Sequence, residues 1–156
     1  MSTTPTRCGV VGVGRMGRHH ARIYSQLPEA ELVGVVDADA SRRGDITEEW
    51  GGTPVSTVAE LIDLGVEAVT IATPTSHHRE AAEQLLEAGV ACLIENPLAG
   101  TAADAAAIAE AASRNNVPLQ VGHVVRYDPV MQAIRKLGAF QPRHLELHRI
   151  SPMTFR

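Results

Sequence analysis

Three glycines and one acid carry the first chemistry visible in this 156-residue chain. Gly12, Gly14 and Gly17 stand at the G-x-G-x-x-G spacing in "CGVVGVGRMGRHHA", where an apolar run gives way to a helical pattern. The first glycine permits a tight turn, the second lets backbone approach a pyrophosphate, and the third lets helix and strand pack closely. Free N–H groups and the positive end of the helix dipole then attract phosphate oxygens. Asp37 ends the next apolar run, 20 residues after Gly17, where a carboxylate accepts from an adenosine ribose 2′-hydroxyl. A 2′-phosphate beside that carboxylate is repelled, which favours NAD; Arg42 and Arg43 follow closely and keep NADP possible.

A second group of chemically able residues lies in three later loops, "IATPTSHHRE" (71–80), "IENPLAG" (94–100) and "VGHVVRYDP" (121–129). Each follows an apolar run, and ligands of open α/β sheets bind outside the carboxyl ends of the strands. The loops therefore bring His77, Glu95, Asn96, His123, Arg126 and Tyr127 to the rim of the glycine loop, stiffened by Pro74, Pro97 and Pro129.

The elements that must position these residues alternate between short apolar runs and longer amphipathic or Ala-rich segments, the pattern of βαβ units. Strands are expected at 7–12, 31–37, 53–56, 67–73, 90–95, 117–122 and 143–150. Helices are expected at roughly 15–27, 41–50, 57–64, 76–88, 101–114 and 128–138. Thr57 with Glu60, Thr101 and Asp128 supply start signals, and Gly65, Gly89 and Gly138 stop signals. Continuous Val/Ile/Leu/Ala runs suit strands covered on both faces, so the fold class is α/β with a doubly wound parallel sheet. The last run, "RHLELHRI", interleaves apolar and polar residues and suits an edge strand.

Composition narrows the partners. With 44% hydrophobic and 21% charged residues and a formal net charge of −4, nothing draws the chain to nucleic acid or to an anionic membrane. No apolar run is long enough to cross a bilayer, and "MSTTPTR" lacks a secretory apolar core, so a cytoplasmic protein is expected. Cys8 and Cys92 sit in apolar runs and read as reduced, buried thiols, and no metal site is expected. His144 and His148 lie too far apart along a strand to share a metal; of the adjacent pairs His19–His20 and His77–His78, only His77 is assigned to the site.

Taken in order, "GVGRMGRHHA", "VVDAD", "ATPTSHH", "IENPLAGT" and "VGHVVRYDP" resemble the N-terminal domain of the Gfo/Idh/MocA oxidoreductase family, over nearly the whole chain. The last motif is similar to members that act on nucleotide sugars. The resemblance implies that Gly12, Val13, Gly14, Arg15 and Met16 meet the pyrophosphate, with Gly17 counted in the same cofactor site, and that Asp37 meets the adenosine ribose. It implies that Ala72, Thr73, Pro74 and His77 face the nicotinamide half, that Glu95 holds its ribose, that Pro97 shapes the loop, and that His123 and Arg126 complete the rim. The expected activity is hydride transfer between a nicotinamide cofactor and a sugar or nucleotide-sugar hydroxyl.

Two departures from the family pattern stand out. Members usually carry Glu-Lys-Pro where this chain has Glu95-Asn96-Pro97, and the lysine tunes proton transfer. An amide neither donates nor accepts a proton at accessible pH, and losing a general acid–base group costs about 10²–10⁴-fold in rate. The family's C-terminal substrate domain, with its Asp-x-x-x-His pair, has no counterpart in the sequence. Residues 1–142 are thus expected to form the dinucleotide-binding domain and 143–156 the start of a crossing into a missing domain. The alternative reading is a catalytically silent NAD(H)-binding module, a sensor or assembly subunit. Expected partners are a sugar-type small molecule and either a second copy of the chain, as a homo-oligomer, or the missing domain.

Overall fold

The computed structural model describes residues 4–136 and Glu146. Six strands form one sheet: β1 (Thr6–Val11), β2 (Ala30–Val36), β3 (Thr53–Val55), β4 (Ala68–Ile71), β5 (Ala91–Glu95) and β6 (Leu119–Gly122). Their order is β3-β2-β1-β4-β5-β6 and every pairing is parallel. The chain thus winds outward from β1 in one direction, returns to β4 beside it, and winds outward in the other. This is the expected doubly wound Rossmann arrangement, whose switch point lies between β1 and β4.

Helices α1 (Gly17–Gln26), α2 (Ala40–Trp50), α3 (Val58–Asp63), α4 (His78–Glu87) and α5 (Ala102–Arg114) connect the strands. Alternation along the strands divides the core between the two faces of the sheet. Val10 and Val35 pack with Ala21 of α1 and Ile46 of α2, while Val11, Val36, Ile71 and Ile94 belong to the cluster built on Leu61, Leu85, Leu86 and Ile108. The Ala-rich stretch is helix α5, and Ala111 and Ala112 are buried in that second cluster. Small side chains allow the helix to sit close to the sheet.

The capping signals act as read, with one refinement. Thr57 Oγ1 accepts from the Glu60 N–H at 3.1 Å, but the Glu60 carboxylate turns back to the Ser56 N–H at 2.7 Å rather than to Thr57. Thr101 Oγ1 accepts from the Asp104 N–H, and Asp39 caps α2. Boundaries differ most at the rim. β4 ends at Ile71 instead of 73, since Pro74 has no N–H for a ladder, and residues 75–77 form a 3-10 turn before α4 begins. α1 starts at Gly17 instead of 15, leaving Arg15 and Met16 in the glycine turn.

Residues up to His123 form one compact unit and those from Val124 onward a second. In the second, Val124–Tyr127 make a 3-10 turn, and α6 (Pro129–Lys136) starts on Asp128, whose side chain accepts from the Val130 N–H at 2.8 Å. Gly138, His144, His148 and the strand expected at 143–150 fall outside the described residues, apart from Glu146.

Candidate functional site

Register brings the expected loops to one rim. Val11 pairs with Val36 and with Ile71, Ile71 with Ile94, and Glu95 with Gly122, so β1, β2, β4, β5 and β6 all end within a residue of one another. The glycine turn between β1 and α1 is held from two sides. Gly12 has φ +83, donates its N–H to the Val36 carbonyl at 2.7 Å, and a Cβ there would lie 2.7 Å from the Thr73 nitrogen. A Cβ on Gly17 would strike the Gly12 carbonyl oxygen. Beyond Gly14, by contrast, nothing lies within 4 Å of where a Cβ would stand. The turn is closed where helix and strand meet and open where a ligand would approach. α1 also begins with no side-chain cap and no acid in its first turn, which leaves its N-terminal end to an external anion.

Asp37 is 8% exposed and tightly held. Its Oδ2 accepts from the Val13 N–H at 2.9 Å and its Oδ1 from the Asp39 N–H at 2.9 Å. Arg42 adds a guanidinium at 3.2 Å from Oδ1 while remaining 49% exposed, and Arg43 donates to the Asp37 carbonyl at 2.8 Å. Neither arginine is only a solvated helix residue: one neutralises the acid and the other ties down its backbone. The Arg42 guanidinium spans both carboxylate oxygens, 3.2 Å from Oδ1 and 3.4 Å from Oδ2, from the exposed side, so a ribose hydroxyl would compete with that contact and not with the backbone N–H groups.

A cleft of about 600 Å³ joins these parts, lined by Gly12, Gly14, Arg15, Met16, Asp37, Arg42, Ala72, Thr73, Pro74 and His77 among others. Nine of the expected cofactor residues are therefore gathered in one place. Val13 and Gly17 stand behind it, Val13 through its N–H to Asp37. The Thr73 hydroxyl is buried with no partner, the single such side-chain atom among the described residues, and Thr73 is one of the residues that line the cleft. An orphaned hydroxyl beside an open glycine turn, an uncapped helix and a held carboxylate matches the donor and acceptor set of a dinucleotide. A larger concavity of about 730 Å³ follows the solvent faces of α4 and α5; its Glu80, Glu83, Glu87 and Asp104 would repel phosphates.

Glu95, Asn96, Pro97 and His123 end β5 and β6 and do not line that cleft. Asn96 and Pro97 are exposed and joined by a cis peptide. Arg126 belongs to the second unit. Two histidines set aside in the sequence are instead structural parts of the rim. His78 is 1% exposed; its Nε2 lies 2.9 Å from the Thr73 carbonyl, and its Nδ1 lies 3.1 and 3.2 Å from those of Pro97 and Leu98. Carbonyls only accept, so the ring donates to one loop as either neutral tautomer and to both as imidazolium. His20 places Nε2 2.7 Å from Glu95 Oε1. The doubled histidines at the two helix starts were the available signal, but nothing local distinguishes a bridging ring from a surface one. Burial pushes the Cys8 thiol up to about 11, helped by Glu67, and that of Cys92 up to about 12, so neither is a nucleophile near neutrality.

The comparisons with known proteins agree with this geometry. Over 150 residues the chain is 38% identical to UDP-N-acetylglucosamine 3-dehydrogenase of Acidithiobacillus ferrooxidans, covering 96% of this chain and 47% of the relative. A solved structure of that dehydrogenase superposes with a TM-score of 0.83 at 37% identity, over 90% of this chain and 45% of the other. The structure of GenD2 from gentamicin A biosynthesis in complex with NAD gives 0.83 at 32% identity, over 89% and 40%. The chain spans about half the length of the curated relatives it matches. The family described as "Oxidoreductase family, NAD-binding Rossmann fold" matches residues 6–123, and the chain therefore belongs to this Gfo/Idh/MocA family as its NAD-binding Rossmann domain.

Proposed function

We propose that this chain is the cofactor-holding part of an oxidoreductase that exchanges hydride between NAD(H) and a sugar or nucleotide-sugar hydroxyl. The observation that carries the reading is the single cleft in which the glycine turn, Asp37 and the Ala72–Pro74 wall converge. In this reading the N–H groups of the glycine turn and the start of α1 hold the pyrophosphate, and Asp37 accepts from the adenosine ribose. Ala72, Thr73, Pro74 and His77 border the nicotinamide half, with Glu95 on its ribose and His123 beyond. The nicotinamide ring, when bound, supplies or takes up the hydride. Asn96 can hydrogen-bond a hydroxyl but cannot move its proton, so proton handling falls to groups of a substrate domain, on this chain or on a partner. Buried, unreactive Cys8 and Cys92 suit a cytoplasmic setting, and no helix among the described residues is long and apolar enough to cross a membrane.

Asn96 favours a second reading, a silent NAD(H)-binding module. An NADH fluorescence titration tests what both share: saturable quenching is expected, and none at millimolar cofactor would remove both. To separate them, the chain is joined to a C-terminal domain of the family. Sugar-dependent NAD reduction that appears only with Asn96→Lys supports the silent module, whereas good turnover with Asn96 in place overturns it.

A further inference from the structure

We propose that His20 is a positioning residue for the nicotinamide half: it fixes the Glu95 carboxylate at the end of β5 so that the second oxygen faces a ribose hydroxyl. This rests on the NAD(H)-binding reading above. His20 is the fourth residue of α1, and its Nε2 donates to Glu95 Oε1 across 2.7 Å. Both side chains are largely covered, 18% and 14% exposed, so water competes poorly for the bond.

The partner oxygen is in a different condition. Glu95 Oε2 has no hydrogen bond among the described residues, yet it is not among the buried unpartnered atoms, so it stays reachable. It stands against Gly122 of β6, the register partner of Glu95, where a Cβ would come within 3.0 Å of it. One oxygen is therefore anchored to the glycine-loop helix, and the other sits in a space kept clear by a missing side chain.

The placement across the sheet matches the order of a dinucleotide. Asp37 follows β2, the glycine turn follows β1, and Glu95 ends β5, so two acids flank the phosphate turn on opposite sides. From β2 to β5 is three strand spacings, about 14 Å. That is the order ribose, pyrophosphate, ribose. His20 links the middle of this row to its far end, bridging β4.

The test compares NADH with ADP, which has the adenosine end but no nicotinamide ribose, by calorimetric titration of the chain and its variants. His20→Leu is expected to weaken NADH about 10-fold or more while ADP stays within about twofold, because a hydrogen bond to a charged group is lost at one end only. His20→Gln, which keeps an N–H of similar reach, is expected to restore most of the NADH affinity, and Glu95→Gln to behave like His20→Leu. If His20→Leu does not fold, His20→Asn, whose amide falls short of Glu95, replaces it. Equal losses for NADH and ADP, unchanged NADH binding, or no rescue by glutamine would each overturn the proposal. A wild-type chain that binds no NADH removes both this inference and the reading beneath it, whereas wild-type binding with unaffected leucine and asparagine variants removes this inference alone.

Discussion

Two stretches of the rim, the glycine-turn side and the β5 side, are built by different means. On the glycine-turn side the innermost constraints are backbone ones: Gly12 and Gly17 leave no room for a side chain, and Asp37 is held by two N–H groups, with Arg42 and Arg43 added from outside. At the β5 end the rim is held by side chains reaching over from other elements, His78 to the Thr73, Pro97 and Leu98 carbonyls and His20 to Glu95. The first end tolerates almost no change and is intact. The second keeps its supports around Asn96, an exposed amide at the position proposed above for proton handling. A scaffold that stays bonded around an exposed amide fits the proposal that holding the cofactor and moving a proton are separable tasks in this fold.

Breaking the adenosine end should have the largest effect. Gly12→Val combines a positive φ with a clash against Thr73, and it is expected to cost about 3 kcal/mol or more in urea unfolding and to abolish NADH binding. Loss of binding without loss of stability would mean that the turn is softer than the contacts indicate. On the β5 side, His78→Leu removes the ring N–H from the carbonyl or carbonyls it serves and is expected to cost about 1–3 kcal/mol, read from the same unfolding midpoints. If it is neutral, the rim does not depend on side-chain bridges.

A smaller effect sharpens the contrast in coenzyme choice. Arg42 neutralises Asp37 but is half exposed, so its leverage is that of a screened surface pair. Arg42→Ala should raise the NADPH-to-NADH ratio of dissociation constants about two- to fivefold, measured by competitive titration, and an unchanged ratio would leave discrimination to Asp37 alone. The smallest effect lies outside the cleft. The Arg79 guanidinium and the Thr101 hydroxyl hold the Asp104 carboxyl below its ordinary value on the exposed faces of α4 and α5. Because the folded value is the lower one, the stabilisation is fully present above the ordinary carboxylate range and is lost as pH falls through the depressed value. The melting-temperature gap between the wild type and Asp104→Asn should therefore close in acid; a gap constant with pH would sever it from the ion pair.

The glycine turn, Asp37 and the order of strands and helices could all be read along the chain, because each rests on neighbours a few residues away: a G-x-G-x-x-G spacing, a capping threonine, a run of valines. Helix α5 is identifiable for the same reason, since alanine's propensity acts locally. The rim segments 15–17 and 72–77 differ from the sequence expectation because there the backbone leaves regular structure to make a turn. That departure costs local regularity and has no periodic signature.

What the sequence determined by itself was thus the fold, the phosphate turn and the ribose acid, each encoded by short-range pattern. Only the tertiary structure decided which histidines matter. His20 meets Glu95 across 75 positions and His78 meets Pro97 across 19, and those meetings follow from the register of β5 beside β4 and from where α1 and α4 cross the sheet. A side chain's partner that far along the chain is set by packing, and packing is a property of the whole core.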